Sequence, residues 1–171
     1  CYNLKYGDIP EGALNKAKEQ LLSIIGAALH GAKHPYGKMV ASFAEKTGDM
    51  QQSKVFGLGF RTSMRGAAFT NSALAQVFEY EDWVRAAHTG ASVVPVALAV
   101  GEAVDADGKE VLTAQIMGNE IAGRVGEAIT FGRWTGNQLP LHQVESALIA
   151  SKLLGATREE MLDALGISCF M

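Results

Sequence analysis

The stretch SVVPVALAV, residues 92–100, decides the fold class. After Ser92 the next eight residues are all apolar, so a helix formed here has no polar face to turn toward water. Such helices lie in the centre of helical proteins. We expect Ser92 to cap this helix and Pro95 to lie in its first turn, where a missing N–H costs little. The stretch therefore predicts a buried central helix with other helices packed around it.

Helical signals continue on both sides of this stretch. Apolar residues recur every three or four positions after the start signal at residues 8–11, and Gly31 ends that pattern. Thr157 and Glu160 have capping-box spacing, and Ser63 can cap a third helix. No segment alternates with period two for long enough to predict a strand, and residues 56–60, FGLGF, indicate a loop. The predicted fold is all-α, with helices over residues 11–31, 36–46, 63–78, 92–100, 112–131, 142–154 and 161–168.

The periodicity also predicts the core. One set of positions is apolar and regularly spaced: Leu21, Ile25, Val94, Ala97, Leu98, Ile116, Ile121 and Leu153. Gly118, Gly123 and Gly126 interrupt the longest helix, and each weakens it by about 1 kcal/mol relative to Ala. We therefore expect close helix packing or a ligand at these glycines.

Composition excludes several classes of function. The 171 residues carry 15 Lys and Arg against 18 Asp and Glu, a net charge of −3, and no basic run that would bind nucleic acid. No apolar run approaches the roughly 20 residues that cross a bilayer. Cys1 and Cys169 form neither a disulfide framework nor metal-ligand spacing. We interpret the chain as one cytoplasmic domain, residues 1–171.

The densest group of polar residues is Glu79, Glu81 and Asp82, followed by His88 and the approach to the helix at Ser92. Carboxylates and an imidazole can move protons, and amides at a helix N-terminus can hold an anion. Acid–base chemistry on a carboxylated substrate needs these groups. The alternative is a solvated acidic helix end that happens to precede a loop histidine.

Other histidines carry weaker signals. His34 lies in a segment with the composition of a surface loop. His142 and Glu145 lie one helical turn apart, so they are either a buried hydrogen-bonded pair or part of a site. No third metal ligand accompanies this pair, and we predict no metal site.

Five blocks carry a resemblance to a known family. Residues 71–82 align without a gap to Asn-Gly-x-x-x-His-x-x-Asp-(Phe/Tyr)-Asp-Asp, and residues 8–11 with their helix resemble the first helix of the same family. Residues 88–95, 108–124 and 152–167 supply the other blocks. Together they cover nearly the whole chain, which resembles the MmgE/PrpD family of dehydratases, decarboxylases and epimerases.

The resemblance implies a helical domain of MmgE/PrpD type, truncated relative to a family chain that continues into a second, mixed α/β lid domain. It also implies dimerisation, no cofactor or metal, and a cleft for small di- and tricarboxylic acids. By position, the implied catalytic residues are Glu79, Asp82 and His88. The implied substrate-binding residues are Arg133, Ser92 and His142. An Arg can bind a carboxylate bidentately, although it does not exchange protons near neutral pH.

Two hypotheses follow. In the first, the chain is a lyase or isomerase domain that moves a proton next to a substrate carboxylate and needs a further chain or segment for activity. Glu79, Asp82 and His88 then converge on one concavity, with Arg133 or His142 at its rim. In the second, the chain is a non-catalytic helical subunit or truncated remnant that serves oligomerisation.

Overall fold

The computed structural model describes residues 1–47, 50–84, 87–130 and 139–170. At residues 129, 130, 139 and 140 it describes the backbone only. Within these ranges nearly all regular structure is helical, which confirms the all-α prediction. A 3-10 turn, Tyr6–Asp8, precedes the first α-helix. The α-helices are α1 Glu11–Gly31, α2 Pro35–Thr47, α3 Met64–Gln76, α4 Gly90–Ala103, α5 Gly108–Thr130, α6 Leu139–Leu153 and α7 Arg158–Ser168.

Local capping signals set several helix ends where the sequence predicts them. The Ser63 side chain accepts a hydrogen bond from the Gly66 N–H at the start of α3. Thr157 and Glu160 form the reciprocal capping box of α7. Helix α1 ends at Gly31, where an added Cβ would collide with the backbone carbonyl of Leu74 in α3. Gly31 therefore allows α1 and α3 to approach closely.

Helix α4 is the centre of the molecule, as predicted. Ten of its 14 residues are buried, and it packs against α1, α3, α5 and α6. The predicted start is wrong by three residues, because the N-cap is Thr89 and not Ser92, and the helix begins at Gly90. Gly90 is small enough to lie against the backbone of Asp82, which brings the chain into the helix early. Ser92 is therefore inside the first turn and does not cap it, and Pro95 lies beyond the first turn.

Among the residues that the structure describes, the buried apolar side chains form four clusters. Among the predicted core residues, Val94 and Ala97 are fully buried. The remaining predicted positions are half-buried: Leu21, Ile25, Leu98, Ile116, Ile121 and Leu153. The largest fully buried apolar side chains are instead Ile24, Leu74, Met117, Leu141 and Ile149. Periodicity thus finds the apolar face of each helix, whereas the crossing of helices decides which residue on that face is covered.

A short hairpin interrupts the helices. Strands β1 Ser53–Lys54 and β2 Arg61–Thr62 pair antiparallel around the predicted glycine loop. Gly57 and Gly59 have φ angles of 71° and 73° in this loop, a conformation that favours glycine. The Asn71 side chain of α3 accepts from the Phe56 N–H and donates to the Lys54 carbonyl, which fixes the hairpin against the helices.

The glycines of α5 are sites of close packing, as predicted. A Cβ at Gly118 would meet Ile149 of α6, and one at Gly123 would meet Val84. The region between α3 and α4 and helix α6 therefore both lie directly against α5. None of the helices in the described ranges is long and apolar enough to cross a membrane.

Candidate active site

The segment that joins α3 to α4, residues 77–89, folds back on itself. Val84 and Ala87 exchange two backbone hydrogen bonds of 2.9 and 3.0 Å, and the Gly90 N–H donates to the Asp82 carbonyl at 3.2 Å. Glu79 has a φ angle of 56°, which reverses the chain just beyond α3. These contacts bring His88 back to the acidic residues that precede it in sequence.

His88 is bound to Glu81, which lies two residues beyond the predicted Glu79. The distance between His88 Nδ1 and Glu81 Oε1 is 2.6 Å, and the Glu81 side chain is completely buried. Gln76 at the end of α3 donates to the same Oε1 at 3.2 Å and to Glu79 Oε1 at 3.5 Å. We call Glu79, Glu81 and His88 the loop cluster.

The hydrogen bonds determine what the loop cluster can do. When Glu81 is ionised it only accepts hydrogen bonds, and Nδ1 of a neutral His88 then carries the shared hydrogen while Nε2 has a lone pair. The ring also lies against Trp83, with 3.7 Å between the ring centroids. A buried carboxylate and an aromatic ring thus fix the imidazole while a fifth of its side chain stays exposed. This arrangement suits a group that takes up and returns a proton.

Asp82 lies on a different cavity from the one lined by Ser92 and His142. It lines a recess of about 300 Å³ together with Lys16, Gln20 and Asn119 from α1 and α5. Burial raises the pKa of the Asp82 carboxyl above its usual range, and the charge of Lys16 partly opposes this shift. The structure therefore brings Glu79 and His88 together, with Glu81 between them, and turns Asp82 toward α1.

A larger cleft, of about 760 Å³, lies between α2, α3, α4 and α6. Its walls are mostly apolar, and Gln76 on its edge connects it to the loop cluster through the hydrogen bonds described above. His34, which the sequence assigns to a surface loop, also lines the cleft. The polar side chains of its wall are His34, Tyr36, Ser72, Gln76, Ser92, His142 and Ser146.

Ser92 and His142 meet on this cleft, although they are fifty positions apart in sequence. The Ser92 hydroxyl donates to Glu145 Oε1, and His142 Nδ1 lies 2.9 Å from Ser92 Oγ and 3.0 Å from Glu145 Oε1. Burial raises the pKa of Glu145, and the hydrogen bonds from His142 and Ser92 oppose that shift. We call Ser92, His142 and Glu145 the helix cluster.

Sequence reasoning left two features of the site unassigned. It placed Glu81 among the acidic residues without giving it a role, and it left the His142 and Glu145 pair open between a structural and a functional interpretation. The partner that the sequence could not show is Ser92, because it lies on another helix. Arg133 lies outside the described residues.

The residues of the loop cluster are also of types that bind metal ions in proteins. Ligand atoms of Glu79, Glu81 and His88 lie within 4.8 Å of one another. Two ligands on a tetrahedral ion at about 2.0 Å are separated by about 3.3 Å. The 2.6 Å separation of Nδ1 and Oε1 is shorter than that and is typical of a charge-assisted hydrogen bond. The arrangement therefore fits proton holding better than chelation.

The chain is similar in sequence to several named enzymes. The chain is 33% identical over 178 residues to cis-aconitate decarboxylase of Aspergillus terreus, an alignment covering 98% of this chain and 36% of the relative. It is 26% identical over 177 residues to cis-aconitate decarboxylase of Mus musculus, covering 98% and 36%. It is 26% identical over 180 residues to 2-methylcitrate dehydratase of Escherichia coli strain K12, covering 98% and 37%.

The chain spans little more than a third of the length of these relatives. The sequence profile of the MmgE/PrpD N-terminal domain matches residues 1–171, which is every residue of the chain. This match over the whole chain, together with relatives that are named as decarboxylases and a dehydratase, shows that the chain belongs to the MmgE/PrpD family.

Proposed function

We propose that this chain forms part of the active site of a lyase or isomerase that acts on a small di- or tricarboxylic acid. The reaction is a dehydration, decarboxylation or epimerisation, carried out by acid–base chemistry. A further chain or segment completes the site. The observation that carries the proposal is the 2.6 Å contact between His88 and the fully buried Glu81. Gln76, which lines the 760 Å³ cleft, donates a hydrogen bond to the same Glu81.

His88 is the proton-transfer group in this proposal. In a dehydration or epimerisation, its Nε2 accepts a proton from the carbon next to a substrate carboxylate, and the C–H electron pair forms the new double bond as hydroxide leaves or takes up a proton again at that carbon. In a decarboxylation, the protonated ring donates a proton to the substrate, which takes up the electron pair of the C–C bond as CO2 leaves. The positive charge of the protonated ring is balanced by Glu81. We assign the orienting role to Glu81, because Glu81 contacts His88 and Asp82 lines another cavity. Glu79 is exposed and close enough to act as a second proton carrier.

Binding of the substrate carboxylates needs donors and positive charge. Arg133 stays a candidate for this role from its position in the sequence. His142 and Ser92 line the cleft and were expected to bind substrate as well. Because the Ser92 hydroxyl already donates to Glu145, we assign Ser92 no contact with a substrate carboxylate. His142 stays a candidate to contact the substrate from the wall of the cleft.

The test is turnover of cis-aconitate and of 2-methylcitrate, the compounds in the names of the relatives, by the complete protein. His88→Gln should lower the rate by about 10² to 10⁴-fold, the usual contribution of a general acid–base group. His30→Gln is the matched control, because His30 is exposed at the end of α1 and contacts Phe78. Turnover of His88→Gln at the wild-type rate would contradict the proposal.

We also propose that the chain works as a homodimer or beside a complementary subunit. Helix α4 is the most apolar helix, but it is covered within the chain. Support comes instead from α2 and α3, which expose the large apolar side chains Tyr36, Met39, Phe43 and Phe69. Sedimentation equilibrium at tens of micromolar should give a mass above that of one chain, and a purely monomeric profile would contradict this part of the proposal.

A further inference from the structure

A buried carboxylate lies next to the cleft, in the helix cluster. The Glu145 side chain is completely buried, and its neighbours Val144, Leu148 and Ile149 on α6 all belong to the apolar core. An isolated charge in such surroundings costs several kcal/mol unless it is paired and hydrogen-bonded. Glu145 Oε1 receives its contacts from Ser92 and His142, and Oε2 is buried with no hydrogen-bond partner in the described part of the chain. In the described part of the chain, this carboxylate is therefore held through Oε1 by Ser92 and His142.

We infer that His142 is a second proton-transfer group of this cleft, held in place by Glu145 and Ser92 as positioning residues. The inference rests on the proposed function, since it assigns the group a role in the same acid–base reaction. It adds a proton carrier on the helices, separate from His88 in the loop cluster.

The first support is the orientation of the His142 ring. Its Nδ1 edge faces Glu145 and Ser92, which lie inside the protein. A quarter of the His142 side chain is exposed, and the residue lines the cleft. With Nδ1 engaged inside, Nε2 is the ring nitrogen left for a molecule in the cleft.

The second support is the number of hydrogens that the cluster has to share. The Ser92 hydroxyl has one hydrogen, and its acceptors are Glu145 Oε1 and the Thr89 carbonyl at 3.2 Å. When Glu145 is ionised and the His142 ring is neutral, the hydrogen between His142 and Glu145 comes from Nδ1, which leaves a lone pair on Nε2. In this assignment one histidine takes the proton and the other gives one. When Nε2 of His142 accepts a proton from a substrate carbon, the C–H electron pair forms a double bond as hydroxide leaves with a proton from His88, or takes up a proton from His88 in an epimerisation, and the His142 ring becomes a cation. That cation faces the buried carboxylate, so the two charges compensate each other.

The third support is the rigidity of the cluster. Ser92 lies in the first turn of the central helix α4, and His142 and Glu145 lie one turn apart on α6, which packs directly against α4. Groups carried by packed helices keep their geometry better than groups on loops. The helix cluster thus has the fixed geometry that a proton-transfer group needs.

The test uses turnover of the complete protein with the same two substrates. His142→Asn should lower kcat by about 10² to 10⁴-fold, and Glu145→Gln by on the order of 10²-fold through misplacement of the ring. Gln143→Ala is the control, because Gln143 is exposed on the same helix. The inference is overturned if His142→Asn turns over at the wild-type rate while His88→Gln does not. If neither variant loses activity, the proposed function fails as well.

A spectroscopic measurement covers the case in which a variant does not fold. Long-range ¹H–¹⁵N correlation spectra of the wild-type protein, labelled at its four histidines, report which ring nitrogen carries the hydrogen. We expect neutral His142 to carry it on Nδ1, and Glu145→Gln to change the Nδ1 chemical shift of His142 while leaving that of His30 unchanged. A neutral His142 with its hydrogen on Nε2 would overturn the inference.

Discussion

The loop cluster and the helix cluster pair a histidine with a buried glutamate in the same way but are held by different structures. His88 and Glu81 lie on one segment, which is closed by backbone hydrogen bonds between Val84 and Ala87. His142 and Glu145 lie on α6 and reach Ser92 through the contact of that helix with α4. The loop cluster therefore depends on local backbone geometry, and the helix cluster depends on packing of the core. A substitution that disturbs the loop backbone should therefore affect mainly the loop cluster, and one that disturbs helix packing should affect mainly the helix cluster.

The largest effect should follow from a change in the support of the loop cluster. A Cβ at Gly90 would lie 2.7 Å from the Asp82 backbone nitrogen, so Gly90→Ala must displace the loop. We expect turnover to fall on the order of 10²-fold, because a displacement of about 1 Å has that cost, and stability to fall by about 1–3 kcal/mol. Substrate turnover and urea unfolding of the purified protein measure the two effects.

The control for this substitution is Gly26→Ala on α1, because an added Cβ there meets no atom within 4 Å. It should raise stability by up to about 1 kcal/mol through helix propensity and leave turnover unchanged. Equal turnover of the Gly90→Ala and Gly26→Ala proteins would show that the loop does not need its present position.

A smaller effect should follow from a change in the support of the helix cluster. A Cβ at Gly118 would overlap the Ile149 side chain, which is fully buried and has no room to move. Overpacking costs about 1–3 kcal/mol and helix propensity returns about 1 kcal/mol, so Gly118→Ala should lower the free energy of unfolding by about 1 kcal/mol. An increase in stability equal to that of Gly26→Ala would show that α5 and α6 are not tightly packed.

The smallest effect concerns the pH dependence of stability. Burial raises the pKa of Glu145 above 4.5, so the folded protein binds this proton more tightly than the unfolded chain does. Its contribution to stability is complete below pH 4.5 and is lost as the pH rises through the folded pKa, with a slope of at most about 1.4 kcal/mol per pH unit. The Glu145→Gln variant has no carboxyl group at this position and does not lose this contribution. The free energy of unfolding of the variant minus that of the wild type should therefore increase as the pH rises above 4.5.

Urea unfolding of both proteins between pH 4 and pH 8 measures this difference. Asp82, whose pKa burial also raises, is present in both proteins and cancels in the comparison. A stability difference that stays constant across this range would contradict the buried, proton-binding state of Glu145.

The sequence predicts best those features that depend on interactions between residues close together along the chain. Gly31, Ser63 and the Thr157–Glu160 box act within one helical turn, and the structure has each of them where it was expected. The apolar stretch of α4 identified the central helix because no other position could accommodate it. The start of α4 was missed because Gly90 fits against Asp82, a contact that no local pattern encodes.

The site shows the same limit. Glu79, Glu81 and His88 could be proposed together because they are close in sequence, but neighbouring residues outside a helix point in different directions. Glu81 therefore faces His88 while Asp82 faces Lys16. The bond between Ser92 and Glu145 spans 53 positions and depends on how two helices cross. Periodicity within one helix carries no information about that crossing.

The central claim is that the loop cluster exchanges a proton with the carbon next to a substrate carboxylate. The most direct measurement is the rate of deuterium incorporation at that carbon in D₂O, followed by NMR, for wild type and His88→Gln with cis-aconitate as substrate. The account predicts incorporation by the wild-type protein and a rate lower by about 10² to 10⁴-fold in the variant. Incorporation at the same rate in both proteins would contradict it.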